Sequence, residues 1–368
     1  MSRRRAVAHR CAVERRARAA NHQFRVVNMS KLSIPLACGV FLAVGWMGVA
    51  AGRAEAVPEV AAIKVIELVP PDVGEKTPVI SSVAIDPAGK LLAAVGDDHL
   101  VRIFDIQSGS LLHRWKSHTD WVKTSAFRPD GQVLATSGAD RRIQLWDLSS
   151  QGRPRDLSEQ PQVVYALAYS PDGRMLAAAG FDGKVRIFDA HQGQIIRDLA
   201  APGSDIRAIG FSPDGTRLAA AGRAGLVRIW EAGTGNQMAD VQVSTRRICA
   251  LAYSPDGKFL AVAGQQRVVR LLEASSGRPV ADLPQRPGEV LALAFCGPEL
   301  LASAGSGNVI HLWDVTTHQE RCRLVGHTGS VTTLVFDRGA AAIISGSYDT
   351  TVRLWDVKSL DQEKVTRR

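Results

Sequence analysis

The feature that most constrains the fold is a repeat of about 42 residues. Its third copy, residues 169–190, reads YSPDGRMLAAAGFDGKVRIFDA. One turn precedes an apolar run, and a second turn precedes a run that closes with an aspartate. Successive copies are 42 residues apart, except for one interval of 41, as judged by the residue before the terminal acid: Phe104, Trp146, Phe188, Trp230, Leu272, Trp313 and Trp355. Seven copies at nearly constant spacing predict seven similar supersecondary units.

Each copy reads as four short strands separated by turn residues. In the third copy the predicted strands are 163–169, 175–179, 184–189 and 194–199. Proline presets φ at the second position of the turn at 170–173, and Gly173 accepts the left-handed conformation at the fourth. Asp172, Asp182 and Asp189 recur from copy to copy, as turn positions require and a single active site does not. We therefore interpret these carboxylates as structural.

Units of four strands that end in Trp-Asp resemble the blades of the WD-repeat β-propeller family. The dipeptide appears at residues 146–147, 313–314 and 355–356, and weakened forms such as Phe188-Asp189 and Trp230-Glu231 stand in other copies. The resemblance covers about residues 63–360. It implies an all-β fold, a seven-bladed β-propeller of four-stranded antiparallel blades.

The period also predicts where the blades begin and end. Residues 57–368 are expected to form one propeller with repeats near 78–118, 119–160, 161–202, 203–244, 245–286, 287–327 and 328–360. Little chain remains after the last Trp-Asp, whereas residues 63–69 precede the first repeat without a partner. We therefore expect this N-terminal strand to close blade 7; the alternative is a fourth strand at 363–366.

The resemblance further implies a hydrogen-bonded tetrad of His, Ser or Thr, Asp and Trp within a blade. Two blades match it completely, with the sets His118, Thr136, Asp140 and Trp146, and His327, Ser345, Asp349 and Trp355. Blades 4 and 5 have Ala224 and Gln266 at the Asp position, so apolar packing is expected to replace the polar network there. Blade 6 keeps Ser303 and Trp313 but has Gly307 at that position.

Residues 1–56 differ in composition from the repeats and read as a targeting region. An Arg-rich stretch precedes an apolar run at 32–52, and Ala54-Glu55-Ala56 follows as a cleavage pattern. The pattern favours a signal peptide at 29–56, with Met29 as the start and 1–28 as an upstream extension. Export to the periplasm or outside the cell is the expectation. The alternatives are an organelle transit peptide and an uncleaved membrane anchor at 32–52.

The charge and the cysteine content limit the kinds of partner and site expected for the remaining chain. Residues 1–56 carry ten Lys or Arg and two Glu, so they supply +8 of the net charge of +9. The propeller is therefore nearly neutral, and a nucleic-acid partner is not predicted. After residue 56 the three cysteines have unrelated spacings, which indicates neither a disulfide framework nor a zinc site.

No catalytic motif accompanies the repeats: the sequence has no nucleophile elbow, phosphate-binding loop, zinc-protease helix or dinucleotide fingerprint. The prediction is a protein without enzymatic activity, cofactor or metal that acts as a monomeric interaction scaffold. Membrane association is expected only if the apolar segment stays uncleaved. The alternative is a propeller enzyme or a binder of small ligands or metals that uses the central channel.

The resemblance also implies that partners bind one rim, at the residue before the turn Asp and near the start of each first strand. The residues carried over to that rim and selected as partner-binding are Trp121, Lys123, Tyr165, Phe181, Arg207, Arg223, Arg247 and Tyr348. Aromatic and Arg side chains are enriched in interface hot spots. We hypothesise a mixed patch that binds an acidic or aromatic segment of a partner protein. The alternative is a solvated rim with ordinary cation–aromatic contacts.

Overall fold

The structure, a computed structural model, describes residues 57–68, 77–149, 153–157 and 159–358, together with the backbone of Val26–Asn28. The remainder of the targeting region, the cleavage pattern and the alternative strand at 363–366 lie outside the described residues. Three short strands precede the repeats: β1 (Val26–Asn28), β2 (Glu59–Val60) and β3 (Lys64–Glu67). No helix in the described part of the chain has the length and apolar character needed to span a bilayer.

The described repeats fold into seven antiparallel sheets, here called blades 1 to 7 in chain order. Blades 1 to 3 contain β4 (Ile80–Ile85), β5 (Leu91–Gly96), β6 (Leu100–Asp105) and β7 (Leu111–Lys116); β8 (Val122–Phe127), β9 (Val133–Gly138), β10 (Ile143–Asp147) and β11 (Pro154–Asp156); and β12 (Val164–Tyr169), β13 (Met175–Gly180), β14 (Lys184–Asp189) and β15 (Ile195–Ala200).

The remaining blades repeat this order. Blades 4 and 5 contain β16 (Ile206–Phe211), β17 (Arg217–Gly222), β18 (Leu226–Glu231) and β19 (Gln237–Gln242), then β20 (Ile248–Tyr253), β21 (Phe259–Gly264), β22 (Arg270–Glu273) and β23 (Pro279–Asp282). Blades 6 and 7 contain β24 (Val290–Phe295), β25 (Leu300–Gly305), β26 (Ile310–Asp314) and β27 (Gln319–Leu324), then β28 (Val331–Asp337), β29 (Ala342–Ser347) and β30 (Thr351–Asp356).

The N-terminal strand completes blade 7, as the sequence predicts. β3 pairs antiparallel with β30, with Val65 opposite Arg353 and Ile66 opposite Val352. The first strands of neighbouring blades lie side by side around the ring, including β28 beside β4. At that junction the hydroxyl of Thr332 donates to the carbonyl of Ile80 at 2.8 Å. The predicted seven-bladed fold is thus confirmed, with closure by the N-terminal strand.

Two short strands extend beyond the predicted four per blade. β1 pairs antiparallel with β3 at the edge of blade 7, and β2 pairs in parallel with β27 at the edge of blade 6. In most blades the outer strand carries a bulge opposite the third strand, as between Ile187 and Phe188 in blade 3. Bulges and short added strands disrupt the regular edge that would otherwise pair with another chain.

The turns have the conformations that the sequence predicts. Gly173 has φ of +72° and donates its N–H to the carbonyl of Ser170 at 2.9 Å. The hydroxyl of Ser170 also donates to the Asp172 carboxylate at 2.6 Å and accepts the N–H of Met175 at 2.9 Å. Asp172 therefore orders a hairpin between β12 and β13, which supports its structural interpretation.

The hydrophobic core lies between blades. Each of the seven apolar clusters joins side chains from neighbouring blades, as where Val185 and Ile187 of blade 3 pack with Leu218 and Trp230 of blade 4. The small residues of the second strands, such as Ala219 and Ala221, are fully buried and let adjacent sheets approach closely. Because every blade packs on two others, the ring holds its first strands, and the side chains they carry, in fixed positions around the axis.

Candidate protein-interaction surface

The first strands surround an axial funnel that opens at one end of the ring. Its mouth encloses a cavity of about 460 Å³, and a second cavity of about 280 Å³ continues below it along the same strands. The mouth is lined by side chains from all seven blades: Ser81, Ser82, Trp121, Lys123, Thr124, Tyr165, Arg207, Arg247, Cys249, Gln265, Glu289, Leu291, Thr332, Thr333 and Tyr348. The cationic and aromatic groups lie mainly on blades 2 to 5, and small or neutral groups face them together with Glu289 of blade 6.

A chain of cation–aromatic contacts crosses blades 2, 3 and 4 at this mouth. The Lys123 ammonium lies 3.1 Å from the centroid of the Trp121 ring and 5.4 Å from that of Tyr165. The Arg207 guanidinium lies 3.7 Å from the Tyr165 centroid. Two cations therefore share one phenol ring, each attracted by the ring while repelling the other.

Phe181 extends this contact chain on the same blade as Tyr165. The two rings meet edge to face with centroids 5.2 Å apart, and the Arg207 guanidinium lies 5.2 Å from the Phe181 centroid. Phe181 reaches this position because it begins the turn after β13, directly beside the start of β12. The turn therefore places an aromatic ring against the arginine of the next blade.

Asp205 is the buried counter-charge of the two arginines. Its carboxylate accepts a hydrogen bond from Arg207 Nε at 2.5 Å and forms an ion pair with Arg247 at 2.9 Å. The side chain of Asp205 is only 5% exposed, whereas those of Arg207 and Arg247 are 22% and 30% exposed. One carboxylate thus fixes the directions of two guanidinium groups. Its single negative charge balances only one of their two positive charges.

The surroundings of Lys123 weaken its ammonium form. The pKa of Lys123 is lowered to about 8, mainly by burial and also by the neighbouring Arg207 charge, against the opposing effects of Asp120 and Asp97. Neither carboxylate forms an ion pair with it; Asp120 accepts the N–H of Trp121, and Asp97 accepts the N–H of Val79. The Lys123 ammonium therefore faces aromatic rings and has no acceptor among the described residues.

Two further donors at the mouth are buried without an acceptor in the described part of the chain. They are the indole Nε1 of Trp121 and the Nε of Arg247. A buried donor left unpaired costs about 1–3 kcal/mol. The mouth thus carries three cationic side chains, Lys123, Arg207 and Arg247, and one further carboxylate, that of Glu289.

The other titratable groups of the funnel do not form a nucleophile and base pair. Burial, and to a smaller extent the Glu289 charge, raise the pKa of Cys249 to about 11, so the thiol is protonated at neutral pH. Burial also raises the pKa of Tyr348. Within residues 57–68, 77–149, 153–157 and 159–358, no group of three His, Cys, Asp or Glu side chains is placed to hold a metal ion.

Seven of the eight rim residues predicted from the sequence meet at this mouth. They are here called the funnel cluster: Trp121, Lys123, Tyr165, Phe181, Arg207, Arg247 and Tyr348. Arg223 does not join them, since it is exposed and its side chain makes no hydrogen bond or ion pair with the described residues. Asp205 was not among the rim residues selected from the sequence. Its position at a strand start, two residues before Arg207, is a signal that could have identified it as a partner of that arginine.

The two predicted tetrads are continuous hydrogen-bonded chains inside blades 2 and 7. In blade 7, Trp355 Nε1 donates to Ser345 Oγ at 2.8 Å, Ser345 Oγ lies 2.7 Å from His327 Nε2, and His327 Nδ1 lies 2.8 Å from Asp349 Oδ2. A carboxylate only accepts, so Nδ1 of the imidazole donates to it. In the neutral ring Nε2 then accepts from the hydroxyl, which gives the chain one direction.

Blade 2 repeats this geometry with a threonine at the centre. Trp146 Nε1 donates to Thr136 Oγ1 at 2.8 Å, and His118 joins Thr136 to Asp140 with distances of 2.8 Å on both sides. Burial alone would raise the pKa of Asp140, but its hydrogen bond and charge interaction with His118 outweigh burial and lower it. The same balance, with hydrogen bonds from His327 and Thr351, lowers the pKa of Asp349.

Blades 4 and 5 combine the expected apolar packing with an ion pair between an Arg of the third strand and an Asp of the fourth. Ala220 and Val262 occupy the position of Thr136, and both are fully buried. At the outer edge, Arg228 donates through Nε and Nη2 to both carboxylate oxygens of Asp240, at 2.8 and 2.5 Å. Arg270 and Asp282 repeat this arrangement at 2.6 and 2.7 Å.

These arginines also connect neighbouring blades. Arg228 Nη1 donates to the carbonyl of Ala200 in blade 3 at 2.9 Å, and Arg270 Nη1 donates to the carbonyl of Val243, just after the outer strand of blade 4, at 2.5 Å. Arg228 and Arg270 are therefore each occupied by an ion pair within their own blade and a hydrogen bond to the preceding one.

Comparison with known families accounts for most of the repeats. The WD domain, G-beta repeat family matches residues 72–105, 109–147, 193–231 and 319–356. The anaphase-promoting complex subunit 4 WD40 domain family matches residues 155–203 and 241–298. Between them, the matched segments fall on all of the blades.

Individual relatives match over short stretches. A U3 snoRNP-associated protein-like protein of Arabidopsis thaliana is 40% identical over 58 residues, which is 16% of this chain and 12% of the relative. A periodic tryptophan protein 2 homolog of Neurospora crassa is 44% identical over 48 residues, 13% of this chain and 5% of the relative. Eukaryotic translation initiation factor 3 subunit I of Schizosaccharomyces pombe is 34% identical over 61 residues, 17% of this chain and 19% of the relative. The chain thus spans less than a fifth of the length of each.

Proposed function

The chain belongs to the WD-repeat family, and from that premise we propose that it is a non-catalytic scaffold that binds protein partners through the funnel cluster. The observation that carries the proposal is the convergence of Trp121, Tyr165, Arg207 and Arg247 at one mouth of a rigid ring. Aromatic and Arg side chains in partly desolvated positions are the groups that dominate interface energies. Relatives named for a snoRNP and for an initiation-factor subunit support a role in assemblies.

The funnel chemistry favours binding over catalysis. Its thiol is protonated, its most buried carboxylate is occupied by two arginines, and its lysine faces aromatic rings. A second candidate, a binder of a small ligand, is favoured by the cavity itself, since about 460 Å³ lies within the usual range of ligand sites.

We further propose that the scaffold acts outside the cytoplasm. The support is the order of charged, apolar and small-residue segments in residues 29–56. Sequencing the N-terminus of the protein purified from its native cells tests this point. A mature chain beginning at or near Val57 is expected, and a chain that retains residues 32–52 would contradict cleavage.

The scaffold function is tested by affinity capture from native cells with the full chain and matched variants. Trp121→Ala should weaken partner binding about 30-fold, the equivalent of losing one hot spot of about 2 kcal/mol. Arg223→Gln is the control, because Arg223 lies exposed on the same rim and outside the funnel cluster. Partners retained by Trp121→Ala as well as by the control would contradict binding through the cluster.

A further inference from the structure

The funnel mouth has an imbalance of donors and acceptors that identifies the chemistry of what it binds. Lys123 Nζ lies against aromatic rings and has no hydrogen bond or ion pair with the described residues, and Arg207 and Arg247 line the same mouth. Asp205 is already shared by Arg207 and Arg247. An anionic group that enters the mouth would pair with Lys123 and with the partly exposed guanidinium groups of Arg207 and Arg247.

The repulsion between cations points to the same chemistry. Lys123 and Arg207 both lie against the Tyr165 ring, at 5.4 and 3.7 Å from its centroid. Arg247 is held near Arg207 by their common carboxylate. An anion between them would relieve their repulsion and form charge-assisted hydrogen bonds, which are about twice as strong as neutral ones.

We propose that the mouth is a carboxylate site, in which Lys123, Arg207 and Arg247 hold an acidic side chain of a partner peptide and Trp121 and Tyr165 flank it. The assignment rests on the proposed scaffold function and selects the acidic segment over the aromatic one. An apolar aromatic side chain of a partner would offer no acceptor to Lys123, Arg207 and Arg247. A carboxylate offers about four acceptor positions to them.

Binding of a carboxylate at this site is coupled to proton uptake by Lys123. The charged and titratable groups around Lys123 are Arg207, Asp120 and Asp97 close by, and Tyr165, Tyr348, Asp205, Arg247, Cys249 and Glu289 around the mouth. Because the pKa of Lys123 in the free protein is about 8, most of the side chain is in the ammonium form at pH 7 and little of it at pH 9. A bound carboxylate favours the ammonium form, so affinity falls as pH rises through 8, by about tenfold between pH 7 and pH 9.

The test measures calorimetric binding of an acetylated, amidated tetraglutamate peptide to the full mature chain at pH 7 and pH 9. The native protein should bind it about tenfold more tightly at pH 7. Lys123→Met should bind it about tenfold more weakly at pH 7, with no further loss at pH 9. Lys123→Arg keeps its charge at both pH values and should bind without pH dependence. Arg223→Gln should behave like the native protein.

Two further peptide arms and the capture assay separate the outcomes. Equal affinity for tetraglutamate and tetraglutamine, or an unaltered pH profile in Lys123→Arg, would overturn the carboxylate site. If glutarate binds as tightly as the peptide, the carboxylate site is supported and its ligand is a small acid. Partner capture that survives Lys123→Met would overturn this inference while the scaffold function stands. Tetraglutamate binding without any captured partner would instead overturn the scaffold function.

Discussion

Blades 4 and 7 have the same four-stranded architecture but place their polar interactions at different depths. In blade 7 a buried hydroxyl joins Trp355 to His327 and Asp349, and the His and Asp side chains are 0% and 5% exposed. In blade 4 the corresponding centre is apolar, and the polar pair lies at the outer edge, where Arg228 and Asp240 are 17% and 31% exposed. The period therefore specifies the backbone, while each blade satisfies its side chains separately.

Blade 2 shows that the two polar systems are compatible. It has the buried tetrad, and at the position of Arg228 it carries Gln144, whose amide donates to Asp156 at 2.8 Å and to Ser117 of the preceding blade segment at 2.9 Å. The outer pair thus exists there in a form without the cation. The blades differ in the side chain at the centre of the tetrad position. A buried hydroxyl there must form hydrogen bonds with an indole and an imidazole, whereas Ala220 has no polar group that needs a partner.

The largest expected effect comes from removing the hydroxyl at the centre of the tetrad. Ser345→Ala leaves Trp355 Nε1 and His327 Nε2 buried without a partner and should lower the free energy of unfolding by about 3 kcal/mol. Ser303→Ala in blade 6 is the matched control, because Ser303 Oγ serves only Trp313 Nε1 among the indole and imidazole groups, at 2.8 Å. It should cost about half as much. Equal losses in urea denaturation would show that the imidazole contributes nothing.

Blade 6 explains why the tetrad cannot simply be restored there. A Cβ on Gly307, at the Asp position, would lie 2.7 Å from the carbonyl oxygen of Pro287. His311 and Arg286 instead pair with Glu320, at 2.5 and 2.6 Å. Burial would raise the pKa of Glu320, but hydrogen bonds from Arg323 and His311 outweigh it and lower the pKa to about 2.

A smaller effect is expected from exchanging the outer pair of blade 4 for that of blade 2. Arg228→Gln replaces a bidentate ion pair by one amide hydrogen bond and should lower the free energy of unfolding by about 1 kcal/mol at low salt. Since Arg228 and Asp240 are partly exposed, 1 M NaCl should reduce that loss by screening the pair. The Ser345→Ala loss involves no net charge and should not change with salt. A salt-independent loss for Arg228→Gln would mean that packing, not charge, holds this edge.

The sequence predicts the fold well because the period, the turns and the strands all agree. It predicts less about side-chain partners, which depend on neighbouring blades. The Arg and Asp pairs were available as a signal, since residues 186 and 198, 228 and 240, and 270 and 282 are each 12 apart. The outward position of Arg223 could not be predicted in this way, because Phe181 at the equivalent position turns inward only by packing on Tyr165.

The smallest expected effect concerns the turn between the second and third strands, where blades 4 and 7 differ again. The left-handed position is Gly225 in blade 4, with φ of +68°, and Thr350 in blade 7, with φ of +70°. A Cβ on Gly225 would lie 1.9 Å from the carbonyl oxygen of Ser244, so blade 4 requires glycine there. Blade 7 accommodates a branched side chain in a conformation that costs about 1–2 kcal/mol.

Thr350→Gly should therefore stabilise the protein, because the relief of this strain exceeds the added chain entropy of glycine, about 0.5–1 kcal/mol, by roughly 0.5 kcal/mol. The backbone bonds of Thr350, including its carbonyl with the N–H of Leu68 at 3.0 Å, remain available to glycine. Asn308→Gly is the control, since asparagine tolerates the left-handed conformation and its replacement should gain close to nothing. If the urea midpoints of the two variants shift equally, Thr350 stores no more strain than Asn308 does.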